Sequence, residues 1–279
     1  MAMLASKLSG IPWSFTAHRW DIVEDNLLAE KVRSATFARF ISESGLRMAQ
    51  ERGIGEARNA RVLPMGVSIP SRVQRWYGPR PLIVCPARLV PVKGHRYLLE
   101  AWRILRRRGL DPELWLAGGG ELRARLEALS ESLGLAGTVR FLGAVPHREL
   151  LKIYEQLPVS AVVLPSVDLG GGEHEGLPVA LIEAMSYGIP VIATATGGTA
   201  ELITPGSGLL VPSANAGALA DAVERIIQDS TLRTRLGDSG RRRAVEAHDI
   251  VRVVEDLVAA FTAAPKLGDR EREVLAQHV

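Results

Sequence analysis

From Pro81 onward, short and largely apolar runs alternate with stretches whose apolar residues recur every three or four positions. The runs at 82–85 (LIVC), 114–117, 139–142, 161–164, 191–193 and 208–211 are too short for helices. They also lack the polar alternation of a strand with one wet face, so they predict strands buried on both sides. Between the first two runs, Tyr97, Leu98, Ala101, Trp102 and Leu105 fall on one helical face. After the last run, Leu219, Ala222, Val223, Ile226 and Ile227 do the same. Further helices are expected near 121–133 and 148–156. Buried strands alternating with amphipathic helices predict a parallel sheet covered on both faces, a doubly wound α/β domain. Ligands in such sheets bind beyond the carboxyl ends of the strands.

The first 75 residues read differently. Their pattern predicts a helix over 1–9, strands over 14–17, 38–41 and 61–63, and helices over 26–34 and 43–52. This is an α/β fragment with few strands, too small to bury a good core alone. It begins on a helix, as if its opening βαβ portion were absent. The glycine- and proline-bearing stretch 66–81 is the expected hinge. The expected domains are therefore a partial one over 1–75, a ligand-binding one over 76–250 and a helical tail over 251–279.

Composition narrows the classes. The 279 residues are 47% hydrophobic and 23% charged, as in an ordinary globular chain. Lys plus Arg is 34 against 31 Asp plus Glu, a net charge of +3, and no RNA-binding signature accompanies it, which argues against nucleic acid. Arg106-Arg107-Arg108 and Arg241-Arg242-Arg243 read as solvated faces near helix ends, with contact to an anionic membrane surface as the alternative. No apolar stretch reaches about 18 residues, and the start MAMLASKLSGIPW lacks a signal-peptide layout. A cytoplasmic chain is expected. The single cysteine, Cys85, sits in an apolar run and reads as a buried structural thiol.

Several chemistries fail on spacing. Glu173-His174-Glu175 has no HExxH or CxxC to support it, and consecutive residues rarely converge on one metal ion, so no metal is expected. Gly118-Gly119-Gly120 follows a strand, but a dinucleotide fingerprint would need glycine where Arg123 stands. No GxSxG occurs, and Gly206-Ser207-Gly208 reads as a turn.

One combination survives. Arg88 and Lys93, in CPARLVPVKG, place two cations in the turn after a strand. In GGGEHEGLPVALIEAM, Pro178 suits a first helical turn, so Gly176 and Leu177 would offer amides to an anion. Glu175 precedes that helix and Glu183 lies about one and a half turns within it. Carboxylates pair with sugar hydroxyls and are poor company for bare phosphate. Two of them beside two cations point to a ligand with sugar at both ends and diphosphate between, a nucleotide-sugar.

With these residues in place, the chain resembles the family 4 retaining glycosyltransferases. Glu175 and Glu183 stand as E-x7-E in EGLPVALIEAMSYGIPVIAT, beside ARLVPVKG, VRFLGAVP, VVLPS, TGGTAELI and GLLVPSAN. The resemblance runs from about Ile11 to about Ile250. It implies an α/β fold of the GT-B type, with one complete Rossmann-like domain and an incomplete N-terminal one. It also implies that Arg88 and Lys93 hold the donor diphosphate. Glu175 would lie near the transferred sugar and Glu183 would bind the nucleotide ribose. Gly176, Leu177 and Pro178 would help hold phosphates and sugar, and Phe141-Leu142 would receive the base. His18, in FTAHRWD, would reach the donor sugar from the N-terminal domain. Such enzymes generally need no metal, so no cofactor is expected.

Two departures stand out: the opening strands with their glycine-rich loop, and Pro64-Met65-Gly66-Val67 where the family often has Asn before Gly. The expectation is a truncated or split retaining hexosyltransferase acting on a glycan or lipid-linked acceptor, as in exopolysaccharide or lipopolysaccharide assembly. A homo-oligomer or a complementing chain, and a peripheral membrane contact, are its expected associations. The alternative is a non-catalytic nucleotide-sugar-binding or assembly subunit. A nucleotide-sugar epimerase is a third reading, disfavoured by E-x7-E and FTAHRWD.

Overall fold

The computed structural model describes residues 1–73 and 78–263. The chain divides into two compact units, Met1–Gly66 together with the chain from Ile250, and Val67–Asp249. The division falls at the start of the stretch read as a hinge, of which residues 74–77 lie outside the described residues.

The first unit contains helix α1 (Ala2–Ser9), strand β1 (Ser14–Ala17), helices α2 (Arg19–Val23) and α3 (Leu28–Ser34), and strand β2 (Phe37–Phe40). Helix α4 (Glu43–Ala49) and strand β3 (Ala60–Val62) follow. The helix expected over 43–52 stops early and continues as a π-helical turn, Gln50–Ile54, in which Gly53 takes φ 103°. The strands are parallel in the order β1-β2-β3. Ala17, Ile22, Leu28, Val32, Ala38, Phe40 and Ala49 form the core.

The second unit runs β4 (Leu82–Cys85), α5 (His95–Arg107), β5 (Glu113–Ala117), α6 (Arg123–Ser132), β6 (Val139–Gly143), α7 (His147–Gln156) and β7 (Val159–Leu164). It continues with α8 (Val179–Ser186), β8 (Val191–Thr194), α9 (Thr199–Leu202), β9 (Leu209–Val211), α10 (Ala216–Gln228) and α11 (Ser230–His248). Its six strands are all parallel, in the order β6-β5-β4-β7-β8-β9. Every residue of β4, β7 and β8 is buried, the consequence of helices on both faces. On α5, Leu98, Ala101, Trp102 and Leu105 are buried as their spacing predicts, with Tyr97 at the edge. The indole of Trp102 donates to the Pro112 carbonyl at 2.9 Å, so its one polar atom is satisfied inside the core.

Helix α12 (Ile250–Thr262) opens the expected tail and clusters with the first unit, where Phe261 meets Phe37 edge-on at 5.0 Å. Residues 264–279 of that tail lie outside the described residues.

The arginine clusters part ways. Arg106, Arg107 and Arg108 are exposed, and Arg108 pairs with Asp221 and Glu224 at 2.7 and 2.6 Å. Arg241 and Arg243 depart from the expected solvated face, being half-buried before the last turn of α11. Arg241 donates to the carbonyls of Ser186 and Pro70, and Arg243 to those of Leu202 and Glu201. They satisfy carbonyls at helix ends and loops, a demand that the sequence pattern does not display. Among the described residues no helix is long and apolar enough to cross a membrane.

Candidate functional site

The strand order places the site. From β4 the chain winds outward to β6, then returns to the other side of β4 and winds from β7 to β9. Loops leaving the carboxyl ends of β4 and β7 therefore diverge, and that divergence is where open α/β sheets leave a binding crevice.

The loop after β4 carries Arg88, exposed at the rim, and then a 3₁₀ turn, Pro91–Lys93. Gly94 ends the turn with φ +63°, and a Cβ there would lie 2.1 Å from the Pro165 carbonyl oxygen. Only glycine combines that conformation with that approach, so the turn presses directly on the loop after β7. The result is a contact between two loops distant in sequence. Lys93 Nζ stands 2.5 Å from Glu175 Oε2, with side chains only 19% and 10% exposed. Ser166 Oγ donates to the same oxygen at 2.7 Å, and its own carbonyl accepts from Thr194 Oγ1. A short, largely desolvated pair of this kind persists because each group is compensated.

The loop after β8 closes the back of the site. Gly197, in TGGT, has φ +49°, and a Cβ on it would meet the Glu175 carbonyl oxygen at 1.8 Å. The backbone of Glu175 is thus pinned from behind while its carboxylate faces Lys93.

Helix α8 follows, with Pro178 as the residue just before its first turn. Gly176 and Leu177 precede that start, where helix amides lack intrahelical partners. Glu183 lies in the second turn with its side chain 13% exposed. His147 Nε2 meets Glu183 Oε1 at 2.6 Å. His147 opens α7, just past β6, where Phe141 and Leu142 are half-buried. Behind Glu183 lie two phenols, Tyr154 and Tyr187, with ring centroids 5.8 Å apart. Burial pushes the pKa of Tyr154 well up, and the Glu183 charge adds to it. Tyr187 is raised by burial and by Glu155 and Glu183.

Beneath Lys93 sits His95, 2% exposed, with no well-formed hydrogen bond to either ring nitrogen among the described residues. Burial first, and then the Lys93 charge, lower its pKa from 6.5 to about 4, while the Ala87 backbone pulls the other way. Burial pushes the Cys85 thiol up to about 12 against the opposing pull of Lys93, consistent with a structural role.

The structure thus joins Lys93 to Glu175, and sets Arg88, Gly176, Leu177, Pro178 and Glu183 on the loops and helix after the two central strands. Phe141 and Leu142 lie on β6, the edge strand of that sheet. His18 belongs to the first unit, exposed at the start of α2, where Asp21 Oδ2 accepts from its amide at 2.9 Å. Ser166 and His147 were missed as site residues. Ser166 stands in VVLPS, a polar residue at a strand's carboxyl end, which was the available signal. His147 had none, because its partner is 36 positions away. The glycines at 118–120 find another use, as the Gly119 carbonyl accepts from Leu89 N at 2.8 Å and ties two loops together. Among the described residues no three His, Cys, Asp or Glu gather as a metal site.

Cations on the loop after β4 thus stand with one carboxylate on the loop after β7 and another on the helix that follows it, at the switch point of a parallel sheet. The sequence profile of the glycosyl transferases group 1 matches residues 70–243, more than half of the chain, and the chain belongs to that family. Among curated relatives, it is 34% identical over 180 residues to the GDP-mannose-dependent alpha-(1-6)-phosphatidylinositol monomannoside mannosyltransferase of Mycolicibacterium smegmatis. That alignment covers 63% of this chain and 47% of the relative. It is 36% identical over 147 residues to the amylovoran biosynthesis glycosyltransferase AmsK of Erwinia amylovora, covering 52% of this chain and 36% of that one. The chain spans about half the length of the first curated relatives it matches. Anabaena HepE, solved with UDP and glucose, superposes with a TM-score of 0.78 at 20% identity, over 94% of this chain and 74% of that one. The sucrose-phosphate synthase of Thermosynechococcus elongatus gives 0.77 at 24% identity, over 99% and 71%. The fold is α/β of the GT-B type.

Proposed function

We propose that this chain carries the donor site of a retaining hexosyltransferase that moves a hexose from a nucleotide-diphosphate sugar to a hydroxyl acceptor. The observation that carries the reading is the Lys93–Glu175–Ser166 cluster at the β4/β7 switch point. Lys93 and the rim cation Arg88 would hold the diphosphate and take up the charge that develops as it leaves. At an effective dielectric near 20, a cation about 4 Å from a phosphate charge contributes about 4 kcal/mol before solvent costs. Glu175 would receive hydroxyls of the transferred sugar, and Glu183 those of the ribose. Phe141 and Leu142 would flank the base, with the amides around Gly176-Leu177-Pro178 on phosphate and sugar. His18, which the family resemblance also assigns to the donor sugar, belongs to the first unit. The acceptor would attack on the face from which diphosphate departs, a leaving-group oxygen taking its proton. No metal is needed in this scheme, because the two cations supply the positive charge.

Curated relatives that depend on GDP-mannose make GDP-mannose the first donor to try, and exopolysaccharide and glycolipid precursors the first acceptors. Membrane-associated acceptors would place the reaction at the inner face of a membrane. The second reading is a donor-binding subunit without transfer, favoured because every proposed donor residue except His18 lies in the second unit. One assay separates them. The full chain is incubated with GDP-mannose, UDP-glucose and ADP-glucose in EDTA, with lipid extract as acceptor, and release of nucleoside diphosphate is followed beside binding. Binding with acceptor-dependent release supports the transferase. Binding without release supports the subunit, and no binding to any donor overturns both.

A further inference from the structure

We infer that His147 is a positioning residue for the ribose-binding carboxylate: its Nε2–H fixes one oxygen of Glu183 and leaves the other to accept the ligand's hydroxyls. The inference rests on the donor-site reading above, and adds to it a residue from a different helix.

The geometry carries it. His147 Nε2 lies 2.6 Å from Glu183 Oε1, within the range of a charge-assisted bond. An ionised carboxylate only accepts, so the hydrogen sits on Nε2. Glu183 projects from the second turn of α8 on a long, rotatable side chain, yet only 13% of that side chain is exposed. Left alone it would sample several rotamers, each presenting its oxygens differently, and binding would have to order it. His147 removes that freedom beforehand. The imidazole is itself 66% exposed and opens α7, so it contributes little to the core. A largely solvent-facing histidine whose bond falls on a largely covered carboxylate is better placed to orient that group than to stabilise the fold. The surroundings agree. Tyr154 of α7 and Tyr187 at the end of α8 flank Glu183, and burial and its charge keep both phenols protonated. The carboxylate therefore has two protonated phenols beside it and His147 as its hydrogen-bond donor through Oε1, which leaves Oε2 for a diol.

The test uses ligands that differ only in the hydroxyls concerned. Dissociation constants are measured on the full chain for UDP, GDP and ADP, for the 2′,3′-dideoxy form of the nucleotide that binds best, and for pyrophosphate. The proteins are wild type, His147→Ala, His147→Gln, Glu183→Ala and the double variant. His147→Ala should weaken the ribonucleotide about tenfold, the effect of one bond to a charged group. It should leave the dideoxy form and pyrophosphate unchanged. His147→Gln keeps an N–H donor and should recover most of the loss. In the Glu183→Ala background, removing His147 should cost nothing further. Equal weakening of ribo- and dideoxynucleotide by His147→Ala would make the residue merely structural and overturn the inference, as would unchanged ribonucleotide binding. If Glu183→Ala itself fails to discriminate the two ligands, the ribose reading of Glu183 falls and the inference falls with it. If Glu183→Ala discriminates and His147→Ala does not, only the inference falls.

Discussion

Glu175 and Glu183 share one motif, eight positions apart, and both side chains are largely covered, yet their surroundings differ in kind. Glu175 lies in a loop and is held by a lysine from the loop after β4 and a serine from the loop after β7. Its position depends on three loops meeting, through Gly94 in front and Gly197 behind. Glu183 lies on a helix and depends on that helix plus one exposed histidine. The first carboxylate is part of a charged cluster whose cation is the one proposed to hold the donor diphosphate. The second is a solitary acceptor. Identical residue types at fixed spacing thus meet different surroundings, and on the proposed function they serve a charge-rich end and a hydroxyl-reading end of one site.

If that contrast is right, damage at the Glu175 end should appear in rate and stability, and damage at the Glu183 end in affinity. The largest effect belongs to the cations. Lys93→Ala or Arg88→Ala should lower turnover by about 10²–10³, the usual cost of losing one preorganised contact to developing charge. Circular dichroism should show the fold retained, and near-normal rates in both variants would break the charged-cluster side of the comparison.

Acid should act next, and on the same side. His95 takes up a proton less readily folded than unfolded, so protons favour the unfolded chain. Its contribution is complete above about pH 6.5 and is lost as pH falls toward about 4, a span worth about 3 kcal/mol. Urea midpoints at pH 7 and 4 would measure it, and His95→Leu should flatten the dependence. An equally steep fall in that variant would assign the acid sensitivity elsewhere.

Glu183→Ala should raise the donor KM about tenfold with little change in kcat, the pattern of binding lost equally in ground and transition states. A kcat loss as large as that of Lys93→Ala would erase the distinction between the two carboxylates. The smallest effect is also the least intuitive. Glu175→Gln removes the counter-charge that Lys93 now holds, so nucleoside diphosphate should bind about threefold tighter while transfer declines. Calorimetry with GDP and UDP reads the first and product release the second. Weaker binding would mean that Glu175 itself contacts the nucleotide.

Much of this was legible in the chain. Wholly apolar runs at 82–85, 161–164 and 191–193 predicted strands buried on both faces, and β4, β7 and β8 are so buried. Periodicity found α5 and α10 because burial of one face imposes a spacing of three and four. Boundaries moved where local chemistry outweighed pattern, as at Gly53, whose left-handed conformation ends the helical stretch after α4. The roles of Arg241 and Arg243 were illegible, since a run of arginines does not record which carbonyls need donors.

The sequence by itself determined the class of fold, through its alternation of apolar runs and amphipathic faces. It also determined the identity of the cations and carboxylates, because residue type and spacing are local properties of the chain. Only the tertiary structure decided which of them meet. Lys93 and Glu175 are 82 positions apart, His147 and Glu183 are 36, and Ser166 reaches Glu175 around a loop. The first of these follows from the strand order, which places β7 beside β4 and brings their loops to one crevice, and the second from the packing of α7 near α8. Strand order arises from long-range packing of whole elements, and no local pattern of residues encodes it.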